Sequence, residues 1–231
     1  MGEPPRGPAR KRARKARNSA RKLVAQTGRK LGPRALRTRQ RLLDAAAELL
    51  KERSVLDISV VEIARKAETS PGTFYHYFKD VEEAALRLAE QATDEMPAVL
   101  DLIDGSWRGQ AGLDRAREIV NAFIEHWDAH HAVLLLRNLS ADKGDVRFQR
   151  VRRAAIAPVL DRLAARIREA QEAGRVSPAI HSYLASAAMA AILESLGAHY
   201  RELRHFEASR EELVETCARI LYQTVTGRSA S

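Results

Sequence analysis

Two helix-start patterns lie close together in the first third of the chain, at Ser59-Val60-Val61-Glu62 and Ser70-Pro71-Gly72-Thr73. The first is a capping box followed by a helical apolar stripe, and the second places an N-cap serine before a proline at the first helical position. Because only Glu68 and Thr69 separate the two predicted helices, we expect them to meet at a steep angle. The spacing predicts a helix-turn-helix whose second helix begins at Ser70.

The second of these helices is rich in aromatic residues. Phe74 and Phe78 are four residues apart, so they point to one side and leave Thr73, Tyr75 and His76 facing solvent or a partner. Hydroxyl and imidazole donors commonly bind phosphate oxygens, and the slim first turn fits a major groove. The pattern favours a DNA-reading helix, with a generic amphipathic helix as the alternative.

A further helix is predicted before this pair. Thr38 is a candidate N-cap, and the apolar positions that follow repeat with helical spacing at Leu42, Leu43, Ala46, Leu49 and Leu50. The three predicted helices are expected to share one small core.

Between Arg39 and Leu86 the chain resembles the TetR-type transcriptional regulators. Four blocks carry the resemblance, in the order and spacing of the family: Leu42-Leu43-Asp44-Ala45-Ala46, Ser59-Val60-Val61-Glu62-Ile63-Ala64, Ser70-Pro71-Gly72-Thr73-Phe74-Tyr75-His76-Tyr77-Phe78 and Glu82-Glu83-Ala84-Ala85-Leu86. The resemblance implies that Ser59, Tyr75 and His76 contact DNA phosphates and that Gly72 and Thr73 approach base edges. The candidate DNA-binding residues are Arg34, Arg37, Ser59, Ser70, Gly72, Thr73, Tyr75, His76 and Lys79.

The sequence departs from the family pattern at three places. Ser54 and Glu68 stand where the family commonly has glycine, so a left-handed backbone there would be strained. Val81 stands where the family usually has a lysine at the start of the fourth helix. Lys79, two residues earlier, either replaces that phosphate contact or only solvates the loop.

Basic residues are concentrated at the N-terminus. Residues 1–41 hold 15 Lys and Arg against one acid, whereas residues 42–231 hold 24 basic and 29 acidic residues. Residues 1–36 are therefore predicted to be a disordered basic arm that contacts DNA, with a solubilising tail as the alternative. The helix-turn-helix domain is placed at 37–84.

Residues 85–228 are predicted to form a helical bundle. Asp80-Val81-Glu82-Glu83 caps a helix ending or kinking near Pro97, and further helices are expected over 113–127, over 133–139 and over 148–167, with Gly174 as a stop and Pro158 as a bend. Two last helices, near 180–203 and 209–225, carry more apolar residues than one buried face needs. The resemblance implies homodimerisation through them; a fully internal core is the alternative.

The bundle is expected to bind a small effector. Its candidate ligand residues are Trp107, Phe123, Trp127, Phe148 and Met189, which could instead be core residues, and the polar Asn121 and Tyr200, which could orient a ligand. His126, His130 and His131 allow a metal pair but lack a third ligand at a diagnostic spacing, so neither a metal nor a cofactor is expected. Motifs for enzymatic catalysis are missing, and the chain is not expected to be an enzyme.

The sequence thus predicts an all-α protein with an N-terminal three-helix, helix-turn-helix DNA-binding domain and a C-terminal helical-bundle domain for ligand binding and dimerisation. The predicted function is a homodimeric repressor that a small, largely apolar ligand releases from a palindromic double-stranded DNA operator. We expect it to be cytoplasmic, associated with the nucleoid and without a membrane partner. The alternative is an architectural, weakly specific DNA-binding protein dominated by its basic arm.

Overall fold

The computed structural model describes residues 31–202 and 208–228, except for the side chains at positions 97 and 98. All regular elements in these ranges are helices, as predicted. They are α1 Pro33–Glu52, a 3-10 turn Val55–Asp57, α2 Val60–Lys66, α3 Pro71–Tyr77, α4 Val81–Glu95, α5 Pro97–Ile103, α6 Gly109–Asp142, α7 Val146–Glu172, α8 Ser182–His199 and α9 Arg210–Thr226. Most of the predicted basic arm lies outside the described residues.

Contacts divide the described part of the chain into two compact units, an N-terminal unit that ends at Ala85 and a C-terminal unit that begins at Leu86. The continuous helix α4 contributes its first turn to one unit and its remainder to the other.

The N-terminal unit packs α1, α2 and α3 around one core. The buried residues of α1 are those of the predicted stripe together with Ala45, while Ile63 and Ala64 of α2 and Phe74 of α3 are fully buried against them. The Arg39 guanidinium lies over the buried ring of Phe78, 5.1 Å from its centroid. This core fixes which face of α3 is left for solvent.

The start of α1 corrects the predicted N-cap. Gly32 is the N-cap and Pro33 occupies the first turn, so the helix begins before Thr38. The Thr38 hydroxyl instead donates to the Arg34 carbonyl at 3.2 Å, one turn back within the helix. Proline suits this position because its missing N–H would have no partner in a first turn. Arg34, which was predicted to lie in the arm, therefore lies on α1, as does Arg37.

The two turns in which the chain lacks the expected glycines behave differently. Ser54 has an extended backbone, with φ −61° and ψ 150°, and its hydroxyl oxygen accepts the Leu56 N–H of the 3-10 turn. Glu68 has a φ of 53°, in the left-handed region that favours glycine. The predicted strain is therefore confirmed at Glu68, whereas Ser54 avoids it.

Replacing Glu68 with glycine is expected to stabilise the N-terminal unit by about 0.5–1 kcal/mol, because relief of the left-handed penalty exceeds the added chain entropy. Amide hydrogen exchange of α2 and α3 in the full chain should slow by about two- to fivefold. Glu68→Ala is the matched control, since alanine keeps the Cβ atom and its strain. Equal protection in the two variants would contradict this account of Glu68.

The C-terminal unit is built around α6, which packs against α5, α7, α8 and α9. The segments predicted at 113–127 and 133–139 lie on this one helix, and His130, with φ −124° and ψ 17°, interrupts its helical geometry between them. Helix α7 continues through Pro158 and ends before Gly174, whose φ is 70°. No helix within the described ranges is both long and apolar enough to cross a membrane.

The last two helices differ in how much apolar surface they bury. Helix α8 ends at His199, earlier than the predicted position 203, which lies outside the described residues. It leaves exposed apolar residues on its surface, with Leu184 the most exposed at 66%. Helix α9 begins with the predicted capping box of Ser209 and Glu212, and its apolar residues mostly face the bundle core. Much of the surplus predicted for α9 is thus buried within the subunit.

Candidate nucleic-acid interface and effector region

Helix α3 begins at a serine cap that also orders its first turn. The Ser70 hydroxyl oxygen accepts the Thr73 N–H at 3.2 Å and lies 3.0 Å from the Thr73 hydroxyl. The helix has only seven residues, and Phe78 closes it by donating its N–H to the Phe74 carbonyl at 2.9 Å. A short helix capped at both ends presents its N-terminal turn in one fixed orientation.

The side chains of α3 are divided cleanly between core and solvent. Phe74 and Phe78 are 0% exposed, whereas Tyr75 is 54% exposed and His76 is also exposed. The Tyr75 ring packs edge-on against the ring of Phe74, with 5.9 Å between centroids. The predicted division of the aromatic residues is confirmed, and Tyr75 and His76 are accessible to a partner, as phosphate contacts require.

The first turn of α3 has little side-chain bulk. A Cβ atom added to Gly72 would meet only the Ser70 hydroxyl oxygen within 4 Å, at 3.8 Å. Thr73 is half-buried beside it. The backbone at Gly72 can therefore approach a partner closely, as reading base edges in a major groove requires.

Ser59 lies at the N-terminus of α2, but its polar groups are already engaged. Its hydroxyl donates to Glu62 Oε2 at 2.7 Å and accepts the Glu62 N–H at 3.2 Å, and its own N–H donates to the same carboxylate at 2.9 Å. These bonds, together with the bond from Arg53, hold the pKa of Glu62 down to about 2. A phosphate contact by Ser59 would require its hydroxyl proton to turn away from Glu62.

The candidate cations are all exposed. Arg34 and Arg37 lie in the first two turns of α1, and Lys79 lies between α3 and α4, where its N–H donates to Glu83 Oε2 at 2.8 Å. Arg65 and Lys66 in the last turn of α2 are also exposed. The sequence analysis passed over this pair, although two consecutive basic residues at the end of a helix-turn-helix helix are a recognisable signal.

Comparison with known proteins matches both halves of the chain. Residues 42–91 match the family described as bacterial regulatory proteins, tetR family, and residues 100–231 match the tetracyclin repressor-like C-terminal domain. The chain belongs to the TetR family of transcriptional regulators. Its helix-turn-helix of α2 and α3 is the family's DNA-binding element.

Solved structures share the TetR-family fold at low sequence identity. Salmonella enterica GusR is 19% identical, with 84% of this chain and 97% of that chain covered and a TM-score of 0.62. The fatty acid degradation regulator FadR from Bacillus halodurans is 16% identical, with coverages of 86% and 97% and a TM-score of 0.59. FadR from Bacillus subtilis, solved in complex with stearoyl-CoA, is 18% identical, with coverages of 82% and 98% and a TM-score of 0.57.

The predicted aromatic ligand residues are well packed in this TetR-family bundle. Trp107, Phe123, Trp127 and Phe148 are at most 9% exposed. Trp107 and Phe123 belong to the main core, against which the half-buried Met189 packs, whereas Trp127 belongs to a separate small cluster. The structure therefore divides these residues between clusters, and their role in ligand binding stays a prediction.

The polar ligand candidates have different surroundings. The Tyr200 hydroxyl donates to Asp128 Oδ2 at 2.8 Å, and Arg201 donates to Asp128 Oδ1 at 2.7 Å. Asn121 is half-buried on α6 and its side chain makes no hydrogen bond within the described residues. Asn121 is thus the candidate whose amide is available to orient a ligand, while Tyr200 already has a partner.

A buried arginine donates hydrogen bonds to two other polar residues of the bundle. Arg137 is 3% exposed, and it donates to Glu194 Oε1 and to Asn138 Oδ1, each at 3.0 Å. Burial lowers the pKa of Arg137 and Glu194 opposes that shift. The ion pair of Arg137 with Glu194 joins α6 to α8. Glu194 and Asn138 therefore have a structural role as partners of the buried guanidinium.

The three histidines of α6 have different surroundings. His130 Nε2 lies 2.8 Å from Glu95 Oε2, and His131 Nε2 lies 3.1 Å from the Ala198 carbonyl oxygen. Burial, and then the neighbouring His130, lower the pKa of His126 to about 4. In the part of the chain that the structure describes, no three His, Cys, Asp or Glu residues come together as a metal ion would require.

A cavity of about 590 Å³ opens at one end of the C-terminal unit, and of the predicted ligand residues only Trp107 lines it. Its walls come from the α5–α6 loop, the end of α7 with the following turn, and the end of α9. Four of the lining residues are arginines: Arg108, Arg166, Arg175 and Arg228. Because these residues are far apart in the sequence, no local motif marks the cavity.

Proposed function

We propose that this protein is a homodimeric repressor that binds a palindromic operator and is released by a small, largely apolar ligand. The observation that carries the DNA-binding part is the division of α3, with Phe74 and Phe78 fully buried and Tyr75 and His76 exposed beside an open first turn. Phosphate contacts by Tyr75, His76 and the nearby cations would position the helix. Gly72 and Thr73 would then approach base edges.

A second copy of the chain would cover the apolar face of α8. Tyr183, Leu184 and Ile192 are 40%, 66% and 36% exposed, and the exposed alanines Ala188 and Ala191 lie between them along the helix. An apolar surface of this kind on a helix is typical of a subunit interface. A two-fold dimer would present two copies of α3 to two half-sites, which is the reason for a palindromic operator.

The release step would be a population shift. A ligand that binds one arrangement of the bundle more tightly than another changes operator affinity by its difference in binding free energy. The continuous helix α4 connects the two units covalently and is the direct route for such coupling. FadR from Bacillus subtilis, which has the same fold, was solved with stearoyl-CoA, so this fold accommodates an acyl ligand in another protein. The repressor would act in the cytoplasm, at the nucleoid.

Two substitutions on α3 test the assignment of contacts. Genomic fragments bound by the protein are first selected, and affinity for the enriched site should exceed that for random DNA by about 10³ or more, whereas an architectural protein would show little preference. Tyr75→Phe should weaken binding to cognate and random DNA alike by about tenfold, because it removes a phosphate hydrogen bond. Thr73→Val should weaken cognate binding alone.

Fluorescence anisotropy with both DNAs measures these effects, and circular dichroism checks that each variant keeps its helices. Weakening of cognate binding alone in Tyr75→Phe would contradict the phosphate assignment. Equal affinity for selected and random DNA would contradict operator recognition altogether.

A further inference from the structure

The arginine-rich cavity of the C-terminal unit carries a positive charge that the neighbouring acids do not neutralise. Of its four arginines, only Arg166 has an acidic partner within the described residues, Glu169 Oε1 at 2.8 Å, and Glu169 is the single acid in the lining. Arg108 and Arg228 make no side-chain ion pair or hydrogen bond in the same part of the chain. Clustering three further cations in one concave site costs electrostatic energy that an anion would remove.

The third uncompensated cation is held in place by the backbone. Arg175 Nε donates to the Thr226 carbonyl at 3.2 Å, and its N–H donates to the Ala170 carbonyl at 2.9 Å. Gly227, the residue after Thr226, has a left-handed backbone conformation with φ 68°. A Cβ atom at this position would collide with the Arg175 carbonyl oxygen. The end of α9 and the turn after α7 are thus locked together, which fixes Arg175 at the cavity wall.

Two more arginines lie directly behind the α5–α6 loop. The Arg115 guanidinium packs against Gly105 so closely that a side chain at this glycine would displace it. Arg162 Nε donates to Asp104 Oδ2 at 3.1 Å. Arg115 Nε and Arg162 Nη1 are buried and have no hydrogen-bond partner in the described chain. Unsatisfied guanidinium nitrogens are costly, so the loop sits in an environment short of acceptors.

One wall of the cavity contains a tryptophan whose fluorescence can report the binding of a ligand. Trp107 lines it while belonging to the main core, and its indole N–H donates to the Ile103 carbonyl at 2.9 Å. The ring is therefore held in place, with no free donor of its own for an anion. The ligand's polar contacts would come from the guanidinium groups.

We propose that this cavity binds a small organic anion carrying at least two phosphate or carboxylate groups. Guanidinium groups are planar forks whose parallel N–H donors match phosphate and carboxylate oxygens, and several of them together favour a multiply charged ligand. A volume of about 590 Å³ is in the range of small-molecule sites. The site goes beyond the proposed operator binding, and of the aromatic residues predicted to hold an apolar effector only Trp107 lines it.

Titration of the full chain with inorganic pyrophosphate, and in parallel with citrate, tests the site at constant ionic strength. Calorimetry should show saturable binding, and the Trp107 fluorescence should change with the same dissociation constant. At 100-fold excess over that constant the melting temperature should rise by about 5–10 °C. A response to pyrophosphate alone indicates a phosphorylated ligand, and a response to citrate alone a polycarboxylate; either supports the site.

Arg108→Gln and Arg228→Gln should each weaken binding by about tenfold or more, since each removes charge-assisted hydrogen bonds. Arg153→Gln is the matched control, because Arg153 is an exposed arginine of α7 that does not line the cavity. Trp107→Phe should abolish the fluorescence response while calorimetric binding persists. These variants should bind the selected operator like the unmodified protein, so failure here is distinguishable from failure of the proposed repressor function.

Three results would overturn the proposal. One is the absence of saturable binding of both anions, and another is equal weakening by Arg153→Gln. The third is a drop in operator affinity in Arg108→Gln and Arg228→Gln without any effect of the anions, which would show that these arginines contact DNA.

Discussion

Replacing Leu184 and Ile192 with glutamate is expected to convert the proposed dimer into monomers and to lower operator affinity by at least about 100-fold. Leu184 is 66% exposed, so its replacement should cost the isolated subunit little, and circular dichroism checks that the change at Ile192, which is 36% exposed, leaves the subunit folded. In a two-fold dimer each substitution occurs twice, and a buried charge without a partner costs about 3–5 kcal/mol. The dimer dissociation constant should therefore rise by several thousandfold or more.

Dissociation into monomers lowers operator affinity because each half-site is then bound independently, without the high effective concentration that the second subunit provides. Sedimentation velocity at micromolar concentration measures the first effect, and fluorescence anisotropy on the selected operator measures the second. Ala154→Glu, which adds a charge at an exposed position of α7, is the control and should remain dimeric. A dimeric Leu184→Glu/Ile192→Glu protein would place the interface elsewhere.

Deleting residues 1–30 is expected to lower operator affinity by about 100-fold at moderate salt and to flatten its salt dependence. These residues hold 11 Lys and Arg and one acid. Removing one phosphate contact lowers the slope of log affinity against log salt by about 0.9, so removing four would lower it by about 3.6. The deletion keeps Gly32 and Pro33, and therefore the N-cap and first turn of α1.

A full-length chain with those 11 basic residues changed to glutamine separates charge from length. We expect it to behave like the deletion, because the contacts proposed are electrostatic. Unchanged affinity and slope in both variants would show that the segment is a solubilising tail. Anisotropy titrations at several salt concentrations measure both quantities.

Local hydrogen bonding explains which helices the sequence predicted well. The capping boxes at Ser59 and Glu62 and at Ser209 and Glu212 are both present, with bonds that span only three residues. Such bonds depend on residue types at fixed spacing, so they can be recognised without knowledge of the fold. The burial of Phe74 and Phe78 and the exposure of Tyr75 could be predicted as well, because helical periodicity is also a local property of the sequence.

The start of α1 shows where local reasoning fails. Threonine caps helices, but inside a helix its hydroxyl can equally donate to the carbonyl four residues back, as Thr38 does with Arg34. Pro33, five residues earlier, was the better signal. The left-handed turn at Glu68 was a different case: the resemblance identified the position, but only the structure showed that the strain is present there and absent at Ser54.

The sequence by itself determined that this chain is helical, that it contains a helix-turn-helix and that a basic segment precedes it, because these properties rest on spacing and composition. Tertiary structure decided which apolar residues of α8 and α9 remain exposed, and how the predicted ligand residues are divided among the clusters of the bundle. It also brought Arg108, Arg175 and Arg228 to one cavity. Contacts such as Arg175 with Thr226 join residues far apart in the chain, and their geometry depends on how whole helices pack.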